Sequence, residues 1–113
     1  MFKIGEFSKL TQVSTRMLRY YDETGLLKPA KVDSLTGYRM YSAEQISTLN
    51  RIIYLRDSGF NVAEIALSLD YSNNNIIEQL DKKSIEIMDN IQKEQEKLKK
   101  IESAKKELLH GKS

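Results

Sequence analysis

Residues 14–21 place two arginines and two tyrosines on one short predicted helix. Burying Val13, Leu18 and Tyr21 against a preceding helix leaves four side chains projecting on the other side: Thr15, Arg16, Arg19 and Tyr20. An arginine fork can pair with O6 and N7 of guanine, and a tyrosine hydroxyl can bind a phosphate oxygen. The spacing therefore permits contact with DNA, although an ordinary surface helix with two arginines would show the same pattern.

Catalysis finds little support in the residue types. The 113 residues include no Cys, which excludes disulfides, thiolate metal ligands and thiol nucleophiles. The single His, His110, lies near the end of the chain, where a helix is expected to fray. The sequence has no glycine-rich phosphate loop and no nucleophile with a suitable base. We therefore predict that the protein is not an enzyme and holds no metal or cofactor.

Arginine is confined to the first half of the chain. Residues 1–60 carry nine basic and six acidic side chains, and all five arginines are among them. Residues 61–113 carry nine lysines as their basic side chains and ten acidic ones. Arginine suits bidentate contacts with phosphates and bases, whereas lysine beside glutamate is typical of a solvated helix face. Chance is one explanation of the asymmetry, and a DNA-contacting first half is the other.

The overall composition is that of a protein rich in exposed helix, with 40% hydrophobic and 30% charged residues. No run approaches the 18 consecutive apolar residues of a membrane span. The first residues lack the apolar core of a signal peptide. The sequence therefore predicts a protein of the cytoplasm with no membrane partner.

The residues that permit DNA contact lie in a predicted helix-turn-helix. Apolar residues recur with helical spacing over residues 4–11. Ser14 is a typical N-cap for a second helix, and Gly25 follows the end of that helix. Because only two residues separate the helices, the pair matches a helix-turn-helix. Pro29 then prevents any helical continuation.

Residues 30–41 have the character of a hairpin. Strand-forming side chains flank the turn-rich stretch 33–37, which ends in glycine: Val32, Tyr38, Met40 and Tyr41. This pattern predicts a β-hairpin with a longer loop. A hairpin that follows a helix-turn-helix is the wing of a winged-helix protein, whose basic residues lie along the DNA backbone.

Two further helices are predicted before residue 70. Ser42 and Gln45 have the spacing of a capping box at the start of a third helix. The predicted buried face of that helix comprises Ile46, Leu49, Ile53 and Tyr54. Asn61 and Glu64 repeat the start signal for a fourth helix. Its predicted buried residues are Ile65, Ala66 and Leu69.

A segment without Gly or Pro covers residues 75–109. Seven of the ten a and d positions in its five heptads are apolar: Ile77, Leu80, Ile87, Ile91, Leu98, Ile101 and Leu108. Ser84, Glu94 and Lys105 occupy the other three. The pattern predicts a coiled-coil dimerisation helix about 50 Å long. A single helix folded back on its own domain is the alternative, but that domain is too small to cover five heptads.

Four motifs follow one another in the first 42 residues: Ile4-Gly5-Glu6, Leu18-Arg19-Tyr20-Tyr21-Asp22, Gly25-Leu26-Leu27 and Gly37-Tyr38-Arg39-Met40-Tyr41-Ser42. In this order they resemble the MerR family of bacterial regulators, and the similarity extends from Met1 to about Leu69. The later long helix lies where that family has its dimerisation helix. We therefore expect a mainly α fold, with a winged helix-turn-helix and small β-hairpin wing over residues 1–70. An antiparallel coiled-coil dimerisation helix is expected over residues 75–109.

The resemblance implies two groups of DNA-binding residues. The first group lies on the second helix: Arg16 and Arg19, which meet base edges and phosphates, and the aromatic pair Tyr20 and Tyr21. Thr15, which projects beside them, completes the predicted DNA-binding set on this helix. The second group holds the sugar–phosphate chain from the wing: Lys31, Tyr38 and Arg39. Of the two adjacent tyrosines, at least one would grip the backbone and the other would be partly core.

The resemblance also implies a regulatory function. Family members bind near-palindromic operators as dimers, often in an overlong promoter spacer. They bend and untwist this DNA so that RNA polymerase engages both promoter elements. We therefore expect a sequence-specific homodimeric regulator, associated with the nucleoid, that has promoter DNA and RNA polymerase as partners. A structural, chromosome-anchoring protein that binds DNA and uses its coiled coil as the main interaction surface is the alternative.

The chain departs from the family pattern after the dimerisation helix. Metal and redox sensors of the family have cysteines there, and this chain has none. Multidrug-responsive members carry a C-terminal ligand-binding domain, whereas this chain ends at Ser113. A short regulator without an inducer pocket is one explanation. The DNA-binding part of a longer, ligand-responsive protein is the other, and it is the one we favour.

Overall fold

The computed structural model describes residues 1–111. Ser113, to which the two explanations of the chain end refer, lies outside the described residues. The chain divides into two compact units, residues 1–72 and the segment that begins at Asn73. The first unit is a helix-turn-helix with a small sheet, and the second is one long helix. The predicted mainly α, winged helix-turn-helix fold class is confirmed.

The helix-turn-helix consists of α1, Ile4–Thr11, and α2, Thr15–Glu23. Ser14 caps α2 as predicted, because its hydroxyl oxygen accepts a hydrogen bond from the backbone N–H of Met17 at 3.1 Å. Gly25 follows α2 with a φ of 79°, a left-handed conformation that glycine adopts without strain. Local cap and turn chemistry thus defines both ends of the second helix.

The predicted wing is a two-stranded hairpin of β2, Lys31–Val32, and β3, Arg39–Tyr41, with Val32 opposite Arg39. A further strand, β1, Phe2–Lys3, pairs antiparallel with the other edge of β3. The sheet order is therefore β1-β3-β2. Strand β1 was not predicted, because two residues are too few to show the alternation of a strand.

Helix α3, Gln45–Asp57, presents a different face to the core from the one predicted. Its fully buried residues are Leu49, Ile52 and Leu55. The predicted Ile46 and Ile53 are only half-buried, and Tyr54 is 41% exposed. The predicted face was wrong because the helix carries apolar residues on several sides, so the spacing of apolar residues could not show which side faces the core. The predicted cap is half formed: Gln45 Oε1 accepts from the Ser42 N–H at 3.0 Å, and the helix begins at Gln45.

Helix α4, Val62–Ser68, begins with the predicted capping box. Asn61 Oδ1 accepts from the Glu64 N–H at 2.8 Å, and Glu64 Oε1 accepts from the Asn61 N–H at 3.0 Å. Ile65 is buried as predicted, whereas Ala66 is exposed and Ser68 takes its place in the core. The Ser68 hydroxyl donates to the Glu64 carbonyl at 2.8 Å, which satisfies this buried polar group.

The second unit is helix α5, Asn73–Leu109, whose 37 residues extend about 55 Å. It begins two residues before the predicted start at residue 75. Six of the seven predicted seam residues have exposed side chains, from 45% for Ile87 to 72% for Leu108. Within residues 1–111, no helix is both long and apolar enough to cross a membrane.

Candidate nucleic-acid interface

Helix α2 presents a polar face with two unpaired guanidinium groups. Arg16, Arg19 and Tyr20 are exposed, and Thr15 is half-buried beside them. Across the part of the chain that the structure describes, neither arginine makes a hydrogen bond or an ion pair. Their side chains are therefore available to a ligand without breaking an internal contact.

Tyr21 belongs to the core and not to this polar face. It is 2% exposed, and its hydroxyl oxygen accepts a hydrogen bond from Arg56 Nη1 at 3.0 Å. The structure therefore places Tyr21 in the core, and a contact between Tyr21 and DNA stays a prediction. Tyr20, 43% exposed, is the tyrosine of the pair that can reach a ligand. Adjacent helix positions point about 100° apart, so one ring is exposed while the other is buried, with their centroids 6.0 Å apart.

The wing contributes aromatic and basic side chains. Tyr38 is 53% exposed, and Lys3 Nζ lies 4.8 Å from the centroid of its ring, a cation–π contact. Lys31 is exposed on β2. Lys3 was absent from the predicted set, because its proximity to the wing depends on the pairing of β1 with β3. An open groove between the start of α1 and the wing brings together Lys3, Lys9, Tyr38 and Arg39.

Asp22 connects the end of α2 to the wing. Its Oδ2 accepts a hydrogen bond from Arg39 Nε at 3.0 Å, and its Oδ1 lies 3.6 Å from Lys28 Nζ. This contact engages only the Nε of Arg39, so Nη1 and Nη2 stay available for a phosphate. This pair was not predicted, because 17 residues separate Asp22 from Arg39 along the chain.

Tyr41 lies where the helix and the wing meet. It is fully buried, and its ring stacks on Phe7 with centroids 4.6 Å apart. Burial raises the pKa of its hydroxyl, and the nearby Asp22 carboxylate raises it further, while Arg39 and Arg19 act in the opposite direction. The stacking of Tyr41 on Phe7 thus packs strand β3 of the wing against α1.

The loop of the wing, residues 33–38, is ordered by its own hydrogen bonds. Asp33 Oδ1 accepts from the N–H groups of Leu35 and Thr36 at 2.8 and 3.2 Å. These two bonds stabilise the carboxylate and lower the pKa of Asp33. Gly37, with a φ of 74°, closes the loop. The ordered loop therefore fixes the shape of the hairpin that carries Lys31 and Tyr38.

The family profile described as "MerR HTH family regulatory protein" matches residues 2–72. The chain belongs to the MerR family. Over 69 residues it is 44% identical to the Multidrug-efflux transporter 1 regulator of Bacillus subtilis, a match that covers 61% of this chain and 25% of that protein. The predicted family resemblance is thereby confirmed.

Solved structures of MerR-type proteins have the same fold. The N-terminal part of MtaN, the Bacillus subtilis multidrug transporter activator, matches with a TM-score of 0.83 at 27% identity, covering 92% of this chain and 97% of MtaN's solved chain. EcmrR in its complex with DNA matches with a TM-score of 0.76 at 29% identity, covering 99% of this chain and 41% of that chain. This MerR chain spans between 21% and 42% of the length of the first curated relatives it matches.

Proposed function

We propose that this chain binds double-stranded promoter DNA sequence-specifically, as a homodimer, and regulates transcription. The observation that carries the proposal is the pair of unengaged arginines, Arg16 and Arg19, on the exposed face of α2. In a helix-turn-helix, the N-terminal half of the second helix enters the major groove. The EcmrR–DNA complex, whose protein matches nearly all of this chain, supports DNA as the ligand.

The two arginines and the wing have different roles in this proposal. Arg16 and Arg19 contact base edges and nearby phosphates, with Thr15 and Tyr20 beside them. Arg39 and Tyr38 hold the sugar–phosphate chain from the wing, and Lys31 adds a further positive charge. Phosphate contacts position the protein, whereas base contacts select the sequence. The protein acts by binding and not by catalysis.

The dimer acts on the shape of the promoter. Two copies joined through α5 place two winged units on a near-palindromic operator, and together they bend and untwist an overlong spacer so that RNA polymerase engages both promoter elements. Such deformation costs roughly 1–6 kcal/mol, which the phosphate contacts must offset. This activity would take place in the bacterial cytoplasm, at the nucleoid.

The chain is also proposed to be the DNA-binding part of a longer, ligand-responsive regulator. The support is its similarity to the B. subtilis Multidrug-efflux transporter 1 regulator, of which the match covers 25%. Residues that would bind an inducer would then lie in a further domain. The reading frame of the parent gene tests this directly, and a stop codon immediately after Ser113 would contradict it.

The DNA-binding proposal can be tested by selecting duplexes from a random library and measuring affinity for the selected site. Arg16→Ala and Arg19→Ala should each weaken binding to that site, by about 1–3 kcal/mol if the arginine pairs with a base in bidentate fashion, and relax the base preference. Lys93→Ala, which removes the same charge from the exposed surface of α5, is the matched control. Equal affinity for selected and random duplexes would contradict sequence-specific regulation and fit a chromosome-anchoring protein.

A further inference from the structure

The apolar stripe of α5 has no partner in the described part of the chain. Ile77, Ile87, Ile91, Leu98 and Ile101 are each 45–59% exposed. Such a stripe of a and d residues is stable in water when a second helix covers it. The inference drawn from this stripe rests on the proposed homodimer and concerns which residues of the two copies meet.

Twofold symmetry restricts the possible pairings. In a symmetric dimer, if residue i contacts residue j of the partner, then j contacts i. When the helices are antiparallel, the numbers of facing seam residues therefore add up to one constant. Half of that constant gives the position of the twofold axis along the helix, so a single number defines the whole register.

We propose that α5 pairs antiparallel with a second copy of itself so that the twofold axis crosses the helix pair at the level of Asp89. Four seam pairs follow, each occurring twice by symmetry: Ile77 with the partner's Ile101, Leu80 with the partner's Leu98, Ile87 with the partner's Ile91, and Ser84 with the partner's Glu94. Every isoleucine and leucine at an a or d position of this span faces another isoleucine or leucine. The only two polar seam residues in the span face each other, serine hydroxyl against carboxylate.

Neighbouring registers lack this match. Moving the axis half a heptad towards the start of α5 places Glu94 against the partner's Ile77 and Ser84 against the partner's Ile87. Moving it half a heptad towards the end places Glu94 against the partner's Ile91 and Ser84 against the partner's Ile101. Buried charges opposite hydrocarbon are costly because they lose water without gaining a partner. The match between polar and apolar positions therefore selects the register centred at Asp89 over its immediate neighbours.

One more distant register also matches in polarity. Centred between Lys99 and Lys100, it pairs Glu94 with the partner's Lys105, but it leaves Ile77, Leu80 and Ile87 uncovered. A parallel dimer would place Glu94 against the partner's Glu94 and so bring like charges together. The register centred at Asp89 covers more of the apolar stripe than the register centred between Lys99 and Lys100. It also avoids the repulsion between the two Glu94 side chains of a parallel dimer.

Met88 supports the same axis. It lies outside the a and d positions, yet it is 68% exposed and next to Asp89. A residue that flanks the twofold axis meets its own copy, so the partner's Met88 would cover it. The thioether side chain adapts readily to such a contact.

Pulsed dipolar electron paramagnetic resonance on the full chain, without DNA, tests the register. The protein contains no Cys, so one cysteine can be introduced and spin-labelled at Lys82, Glu96 or Ser103, all at the outward f position. Lys82 and Glu96 are equally far from Asp89, so their label-to-label distances should be equal. Ser103 lies twice as far from the axis, which adds about 21 Å of separation along the helix.

Each other outcome overturns the proposal. Equal distances at Glu96 and Ser103, both shorter than at Lys82, would place the axis near residue 99. Equal distances at all three sites would indicate a parallel dimer, and no dipolar signal would indicate a monomer. Because no DNA is present, this measurement reports on the register alone. If the distances confirm the register and the protein still fails to bind an operator, the proposed function is wrong and the register stands.

A matched pair of substitutions gives a second test. Ile91→Asp introduces a charge into the pairs next to the axis, twice per dimer, and should raise the dimer dissociation constant at least about 100-fold. Leu108 is the one apolar seam residue that this register leaves unpaired, because its counterpart, residue 70, lies before the start of α5. Leu108→Asp makes the same chemical change there and should leave dissociation unchanged. Analytical ultracentrifugation measures both, and circular dichroism checks that α5 stays helical. Dissociation by Leu108→Asp would contradict the register, since it would indicate the axis near residue 99.

Discussion

The substitution Asp22→Asn distinguishes two possible effects of the Asp22 carboxylate: positioning Arg39 for DNA, and repelling the DNA phosphates through its charge. Removing a negative charge from a DNA-binding surface should tighten binding, because one fewer carboxylate repels the phosphates. We expect the opposite for Asp22, since its carboxylate holds Arg39 Nε at 3.0 Å and keeps the guanidinium beside α2. An amide oxygen accepts a weaker hydrogen bond than a carboxylate and lacks its charge, so Arg39 is held less firmly and must be ordered again each time the protein binds a phosphate.

The magnitude follows from two opposing effects. Ordering a long side chain on binding costs about 0.5–1.5 kcal/mol, and each dimer contains two copies of Arg39. The relief of repulsion, for each charge about 8 Å from a phosphate in water, is about 0.5 kcal/mol before screening, or about 1 kcal/mol for the two copies in a dimer, and it is less at physiological salt. The net expectation is binding weaker by about 1–2 kcal/mol per dimer, or roughly fivefold to thirtyfold.

Fluorescence anisotropy with the selected operator measures this effect. Glu23→Gln is the matched control, because Glu23 is adjacent, exposed and without an ion pair in residues 1–111. It should bind slightly more tightly than the unmodified protein. In an Arg39→Gln background, Asp22→Asn should cause no further weakening. Tighter binding by Asp22→Asn, equal to that of Glu23→Gln, would refute the positioning role.

Three other predictions concern the wing and the core. Arg39→Ala should weaken operator binding and lower the slope of log affinity against log salt by about one unit for each phosphate that the arginine neutralises, as read from anisotropy titrations at several salt concentrations; an unchanged slope would contradict a role in phosphate binding. Tyr21→Phe removes the hydrogen bond from Arg56 and should lower the free energy of unfolding by about 1 kcal/mol, whereas Tyr41→Phe should leave it unchanged or raise it, because the buried Tyr41 hydroxyl has no hydrogen-bond partner among the described residues. Urea unfolding measures both, and equal decreases would contradict this difference. Because the pKa of Tyr41 is raised above its ordinary value of 10.0, the folded state holds this proton more tightly, so stability is fully present below that pH and falls as pH rises above it. Tyr41→Phe should reduce this alkaline destabilisation, and an identical pH dependence in both proteins would contradict the assignment.

The features that sequence analysis predicted correctly depend on interactions within a few residues. Ser14 caps α2 through an N–H three residues ahead, and Asn61 and Glu64 cap α4 in the same way. The hairpin depends on its own turn, and α5 on an uninterrupted run of helix-forming residues. Such signals are readable because the interacting groups are already neighbours along the chain.

Tertiary structure decided the rest, because packing selects among options that are locally equivalent. Tyr20 and Tyr21 are chemically identical and adjacent, yet one is exposed and the other is buried under Arg56, 35 residues away. The pair of Asp22 with Arg39 spans 17 residues, and β1 is a strand only because β3 lies beside it. The sequence by itself determined the helices, the hairpin and the apolar repeat along α5, through local hydrogen bonding and periodicity. Which side chains form the proposed DNA-binding surface depended on contacts between distant segments, and these exist only once the core has packed.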